Sequence, residues 1–156
     1  MNNVIKSKFD PVKEFQEGWI TQGIDREGVD YLENLGYLLC DKDNAKYKDQ
    51  AGFNAMTVSQ IRNIFGEIKR IVAILPGQAG TVDHELQMEF LLLRPKIAYN
   101  TARVMAKSRK SRVQDFKSVL EIAHRAVDPS SPKHIRNFSQ FVEGIVAYHK
   151  VYGGKE

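Results

Sequence analysis

The sequence predicts an all-α protein, a compact bundle of about six helices in one domain spanning residues 1–156. Three observations lead there. Apolar residues recur at three- and four-residue spacing, most clearly from Val58 to Leu75. Helix-start and helix-stop residues punctuate the chain at matching intervals. There is no clear alternating run and no Asn-Gly or Asp-Gly hairpin turn to build a sheet.

Taken in order, Asp10–Pro11 reads as an N-cap followed by a first-turn proline, opening a helix to about Ile20. A second helix is expected from Asp25 to Leu39, with Val29, Leu32, Leu35 (or Gly36) and Leu39 on its apolar face. The polar, glycine-containing stretch Asp41–Asn54 is expected to be a flexible loop or hinge. Thr57-x-x-Gln60 is a capping box, and Val58, Ile61, Ile64, Phe65, Ile68, Ile71, Val72 and Leu75 form one face of the helix behind it. "LPGQAG" stops that helix. A fourth starts near Thr81, and Pro95 is expected to end or kink it, forcing Arg94 out of helical geometry. Helix resumes from Lys96 to about Lys107. Ser111-x-x-Gln114 is a second capping box, for a helix through Val127. After "DPSSP", the last helix runs from about Lys133 to Tyr152. Its stripe is Phe138, Phe141, Ile145, Tyr148 and Tyr152, and Gly153–Gly154 stop it.

The 156 residues are 42% hydrophobic, enough for a core without a disulfide or metal staple. The single cysteine, Cys40, permits no intrachain disulfide and suits a reducing cytoplasm. No apolar run approaches the roughly 18 residues of a membrane span. The N-terminus "MNNVIKSKFDP" lacks the pattern of a secretory signal. A soluble cytoplasmic protein with no membrane partner is expected.

The net charge of +4 is unevenly placed. Residues 94–117 hold eight Lys/Arg against one Asp, a balance of +7, so one segment exceeds the charge of the whole chain. On a helix, Lys96, Asn100, Arg103 and Lys107 fall within an arc of about 60°, a stripe about 16 Å long. No acid lies at i±3 or i±4 to neutralise it. Arg109, Lys110 and Arg112 continue the charge, and Ile97, Val104 and Met105 point elsewhere. Arg62 and Lys69 share the polar face of the third helix with Ser59 and Gly66, whose missing side chain would let another backbone approach. Such a density points to a polyanion, because a phosphate backbone repays it by counterion release. Tyr99 could stack on a base, although a lone aromatic more often joins the core.

Enzyme motifs are disfavoured. Glu121-x-x-His124 has the spacing of a di-iron bundle pair, but a second pair and two further glutamates are missing. "DHE" at Asp83–Glu85 reads as first-turn acids complementing a helix dipole. Cys40 reads as a small buried hydrophobe. "GQAG" lacks the lysine and the following Ser/Thr of a phosphate loop. No cofactor and no catalytic residue is expected.

Three blocks, "MTVSQIRNIFGEIKRI" (Met56–Ile71), "LLLRPKIAYNTAR" (Leu91–Arg103) and "FSQFVEGIVAYHKVYGGK" (Phe138–Lys155), resemble the small helical subunit of type III-A CRISPR effector (Csm) complexes. They come in the family's order over about the last two thirds of the chain. The resemblance implies a non-catalytic subunit of an interference complex. It would stack in several copies along the guide RNA–target RNA duplex, contacting that backbone and other Csm subunits. It implies a helical bundle, in which the 41–54 loop leaves room for arm or domain exchange between chains. Arg62, Lys69, Lys96 and Arg103 carry over from matching motifs as RNA-facing. Lys107, Arg109, Lys110 and Arg112 extend that set on charge alone. Tyr148, His149 and Lys150 match the terminal block, but core packing for Tyr148 with exposed His149 and Lys150 is the preferred reading. The alternatives are a helical protein–protein adaptor whose basic face meets an acidic partner, and a metal-dependent bundle enzyme using Glu121 and His124.

Overall fold

The computed structural model describes residues 4–41, 58–77, 79–107 and 111–153. Among them are seven helices and no strand: α1 (Gly18–Thr21), α2 (Arg26–Leu39), α3 (Val58–Ala73), α4 (His84–Leu91), α5 (Leu93–Lys107), α6 (Ser111–Arg125) and α7 (Pro132–Val151). The all-α expectation holds. The Asp41–Asn54 loop beyond Asp41, Thr57 of the first capping box, and Arg109 and Lys110 lie outside the described residues. No helix among the described residues is long and apolar enough to cross a membrane.

The helix ends follow their caps. Asp25 accepts from the Gly28 N–H at 2.8 Å to start α2, Asp83 from Leu86 at 2.8 Å to start α4, and Ser131 from His134 at 3.2 Å to start α7. Pro132 occupies the first turn of α7, where its missing N–H costs nothing. Gly153 ends α7 with φ +82°, a conformation open to glycine. Asp83 therefore serves as a cap, with Glu85 in the first turn behind it.

Two expectations about helix bounds need correction. The first helix does not run from Asp10 to Ile20. Asp10 caps a single turn, accepting from the Val12 and Lys13 N–H groups, and helix resumes only at Gly18. Between them Phe15 packs edge-on against Trp19, Tyr31 and Phe141, and that aromatic contact overrides local helix propensity. Second, the break predicted at Arg94 falls at Leu92 instead. Arg94 and Pro95 are the second and third residues of α5. An N–H in a first turn has no intrahelical partner, so proline is tolerated there. Gln114 Nε2 donates to Ser118 Oγ at 3.1 Å, and the Ser111 side chain of the second capping box lies outside the described residues.

Helix α7 is the central post, with α1, α2, α3 and α6 packed against it and α5 lying on α6. The contacts Tyr31–Phe141, Leu32–Gly144, Gly36–Tyr148 and Tyr37–Tyr152 advance together, so α2 and α7 run parallel. They cross closely because two glycines face the seam. A Cβ at Gly36 would lie 2.5 Å from Tyr148 Cβ and 2.8 Å from the His149 backbone nitrogen. This approach also buries His149, predicted to be exposed, and its carbonyl accepts from Cys40 Sγ at 3.2 Å. Cys40 is buried, as its apolar setting suggested. Val29, predicted on the buried face of α2, is 41% exposed, while Gly28 and Tyr31 turn inward. Residues 4–17 strap α2 from outside through the Lys6 N–H to Asn34 Oδ1 and Asn34 Nδ2 to the Val4 carbonyl.

All seven helices feed one buried cluster around Phe90, Phe116, Phe138 and Phe141. Gly66, by contrast, meets nothing among the described residues within 4 Å, so the close approach expected there is not made by any of them. Gly36→Ala should therefore lower the unfolding free energy by about 2–3 kcal/mol, because the obstructing atoms are backbone or Cβ. Gly66→Ala should raise it by up to about 1 kcal/mol. Denaturant midpoints of the two variants check both signs.

Candidate nucleic-acid interface

The basic stripe sits on α5, and α3 lies beside it. Two adjoining clefts, of about 560 Å3 and about 180 Å3, share Asn63, Ile64 and Asn100, and together make a trough between the two helices. From α3, Ser59, Asn63 and Glu67 form an i, i+4, i+8 row along one wall. From α5, Lys96, Tyr99, Asn100 and Arg103 form the other. Ile97 and Thr101 face inward, and the Thr101 hydroxyl donates to the Ile97 carbonyl at 2.7 Å.

The predicted site residues separate into groups. Lys96 and Arg103 line the trough about 10 Å apart along the helix axis. Arg62 and Lys69 are exposed but line neither cleft. At about 100° per residue they occupy the outer shoulder of α3. Lys69 Nζ lies 5.3 Å from the Phe65 ring centroid. Lys107 ends α5, while Arg109 and Lys110 lie outside the described residues.

Arg112 turns inward. It meets Asp41 Oδ1 at 3.1 Å and Asp115 Oδ2 at 3.1 Å, and the Asp41 side chain is 1% exposed. The contact ties the end of α2 to the start of α6. Asp41 is held there with φ +53°, a left-handed conformation that aspartate tolerates better than most residues.

The stripe was expected to be free of acids, which is true only within its own helix. Glu67 reaches across from α3 to Lys96 at 3.7 Å and also meets Arg70 at 3.2 Å. Arg103 has no acidic partner among the described residues. The floor is thus nearly balanced and the positive charge sits toward the Arg103 end. Sequence reasoning missed Asn63 and Glu67 as partners of the stripe. Their signal was the four-residue row from Ser59, but nothing local says which helix it faces.

His124 is 1% exposed and stacks on Phe90 at 4.4 Å between ring centroids. Its Nε2–H donates to the Phe90 carbonyl at 2.7 Å, and its Nδ1 accepts from Arg94 Nε at 3.3 Å. Both ring nitrogens are committed, and Glu121 pairs with Lys117 at 3.1 Å. His124, named with Glu121 in the alternative metal-enzyme reading, is therefore a brace at the α4–α5 joint. No group of three or more metal-ligating side chains occurs among the described residues.

Burial pushes the His124 pKa below its ordinary 6.5, outweighing the hydrogen bond to Phe90. Below about pH 6.5 an unfolded chain takes up a proton that the buried ring refuses. His124 thus favours the fold fully above that pH, and the contribution is lost progressively as pH falls toward the depressed folded value. His124→Gln, which keeps a donor for Phe90, should flatten the decline of unfolding free energy between about pH 6.5 and 5. Arg112→Ala should cost about 3 kcal/mol of stability by leaving the Asp41 carboxylate buried and unpaired. Urea titrations across that pH range and at neutral pH report both.

No curated protein and no solved structure matches the chain. Residues 39–155 match the Csm2 Type III-A family. That span holds helices α3 to α7 entire, including both walls of the trough. With three quarters of its length matched, the chain belongs to the Csm2 family of type III-A CRISPR systems, a family of small Csm-complex subunits.

Proposed function

We propose that the chain is a non-catalytic, RNA-backbone-binding subunit of a type III-A interference complex, holding guide and target RNA while stacking against further copies and other Csm subunits. The observation that carries this reading is the α3–α5 trough, with Lys96 and Arg103 on one wall and the amides of Asn63 and Asn100 at its centre. Phosphates and 2′-hydroxyls are the groups such a surface can engage without reading sequence.

The Lys96–Glu67 contact does not oppose this. Its side chains are 56% and 42% exposed, and pairs so exposed contribute at most about 1 kcal/mol. Lys96 can exchange its carboxylate for a phosphate at little cost. Arg62 and Lys69 on the shoulder of α3, with Lys107 at the end of the stripe and Arg109 and Lys110 after it, would extend the contact to flanking phosphates. Arg112 is better assigned to holding α2 and α6 together. Few contacts per copy imply weak binding by one chain, and side-by-side copies on one RNA supply avidity.

RNA affinity measured across a salt series tests the reading. Log affinity should fall linearly with log salt, and Arg103→Ala should weaken all sequences alike and reduce the slope by about one. Glu67→Gln should tighten binding, because it removes the carboxylate paired with Lys96 in the trough. A flat plot, or altered sequence preference in Arg103→Ala, would overturn backbone binding.

A further inference from the structure

The larger cleft contains an aromatic ring that backbone binding does not use, beside amides that can serve more than a backbone. Tyr99 is 66% exposed, and no described residue gives it a ring contact or a hydrogen bond. Its ring face is therefore open to solvent and available for stacking. Beside it, Asn63 and Asn100 also have no hydrogen-bond partner among the described residues, so each amide keeps a donor and an acceptor uncommitted. Pro95 adds an apolar ring to the lining. At about 560 Å3 the cleft falls in the range of roughly 300–1,000 Å3 typical of small-molecule sites.

The charges say which part of a nucleotide fits. Glu67 lines this cleft and pairs with the half-exposed Lys96, so a phosphate is met where Lys96 swings out to solvent and not beside Glu67. Arg103 lies at the neighbouring cleft, just outside. We infer that the α3–α5 cleft seats one unpaired nucleobase, its face stacked on Tyr99 and its edge on the amides of Asn63 and Asn100, while the flanking phosphates meet Lys96 and Arg103. A ring face, two free amides and a nearby cation are what single-stranded RNA recognition employs, and a base within a duplex cannot offer its face. The inference rests on the RNA-binding reading above and adds a base-sized position to it.

The test uses the full chain and two RNAs: a perfect duplex, and the same duplex carrying one bulged 2-aminopurine. Tyr99→Ala should weaken binding of the bulged RNA about tenfold, leave the perfect duplex within about twofold, and keep the salt slope unchanged. Tyr99→Phe should behave as the parent protein. The 2-aminopurine fluorescence should change on binding to the parent protein and to Tyr99→Phe, but not to Tyr99→Ala. The exposure of Tyr99 makes unfolding of these variants unexpected, and circular dichroism checks it. The base seat is overturned if Tyr99→Ala binds the bulged RNA normally, or loses the same factor on both RNAs. If the loss appears only in association with protein subunits, Tyr99 belongs to a protein interface and the seat is likewise overturned. Salt-dependent duplex binding without a Tyr99 effect sinks the base seat alone, whereas no salt-dependent binding of either RNA removes the parent reading with it.

Discussion

The close parallel crossing of α2 and α7 is the contact on which the rest of the bundle depends. It exists because Gly36 presents no side chain to the Tyr148–His149 backbone and Gly144 leaves room for Leu32. Once the axes are that close, the aromatic cluster of Phe15, Trp19, Tyr31 and Phe141 can close over one end of the seam. At the other end, the Tyr152 hydroxyl reaches Glu33 at 2.6 Å and Cys40 reaches the His149 carbonyl. A helix pair fixed at both ends makes a stiff post, and α1, α3 and α6 pack on α7.

The trough is positioned by contacts at one remove from it. Asp41, at the end of α2, fixes Arg112 at the start of α6. Helix α6 in turn carries His124, whose ring nitrogens join the Phe90 carbonyl of α4 to Arg94 of α5. The beginning of α5, and therefore the direction of Lys96, Tyr99 and Arg103, is set by this chain of polar contacts through the interior. Two basic residues from one segment consequently do different work. Arg112 is spent on architecture, while Arg103 is exposed with no acid opposite it among the described residues. Charge density alone could not separate them.

Much of the fold was legible because helices are local. The helix starts near Asp25 and Lys133, the stop at Gly153 and the apolar face from Ile64 to Leu75 depend on neighbours within one or two turns. What was illegible depended on residues far apart in the chain. Phe15 left the helix pattern for partners as distant as Phe141. His149 looked exposed until Gly36 brought α2 against it. Glu67 neutralises a lysine 29 positions away, which no i±4 rule detects. The same holds for the trough: the stripe on α5 was visible, and the wall opposite it was not. Three blocks of family resemblance identified the kind of assembly without saying which faces of the helices meet.

The central claim is that RNA runs along the trough between α3 and α5. Photocrosslinking from 4-thiouridine placed throughout the RNA, in the assembled complex, with crosslinked peptides mapped by mass spectrometry, addresses it most directly. The account predicts crosslinks concentrated in peptides of α3 and α5, with Tyr99 and its neighbours prominent. Crosslinks confined to the outer faces of α2 and α7, with α3 and α5 unmarked, would contradict it.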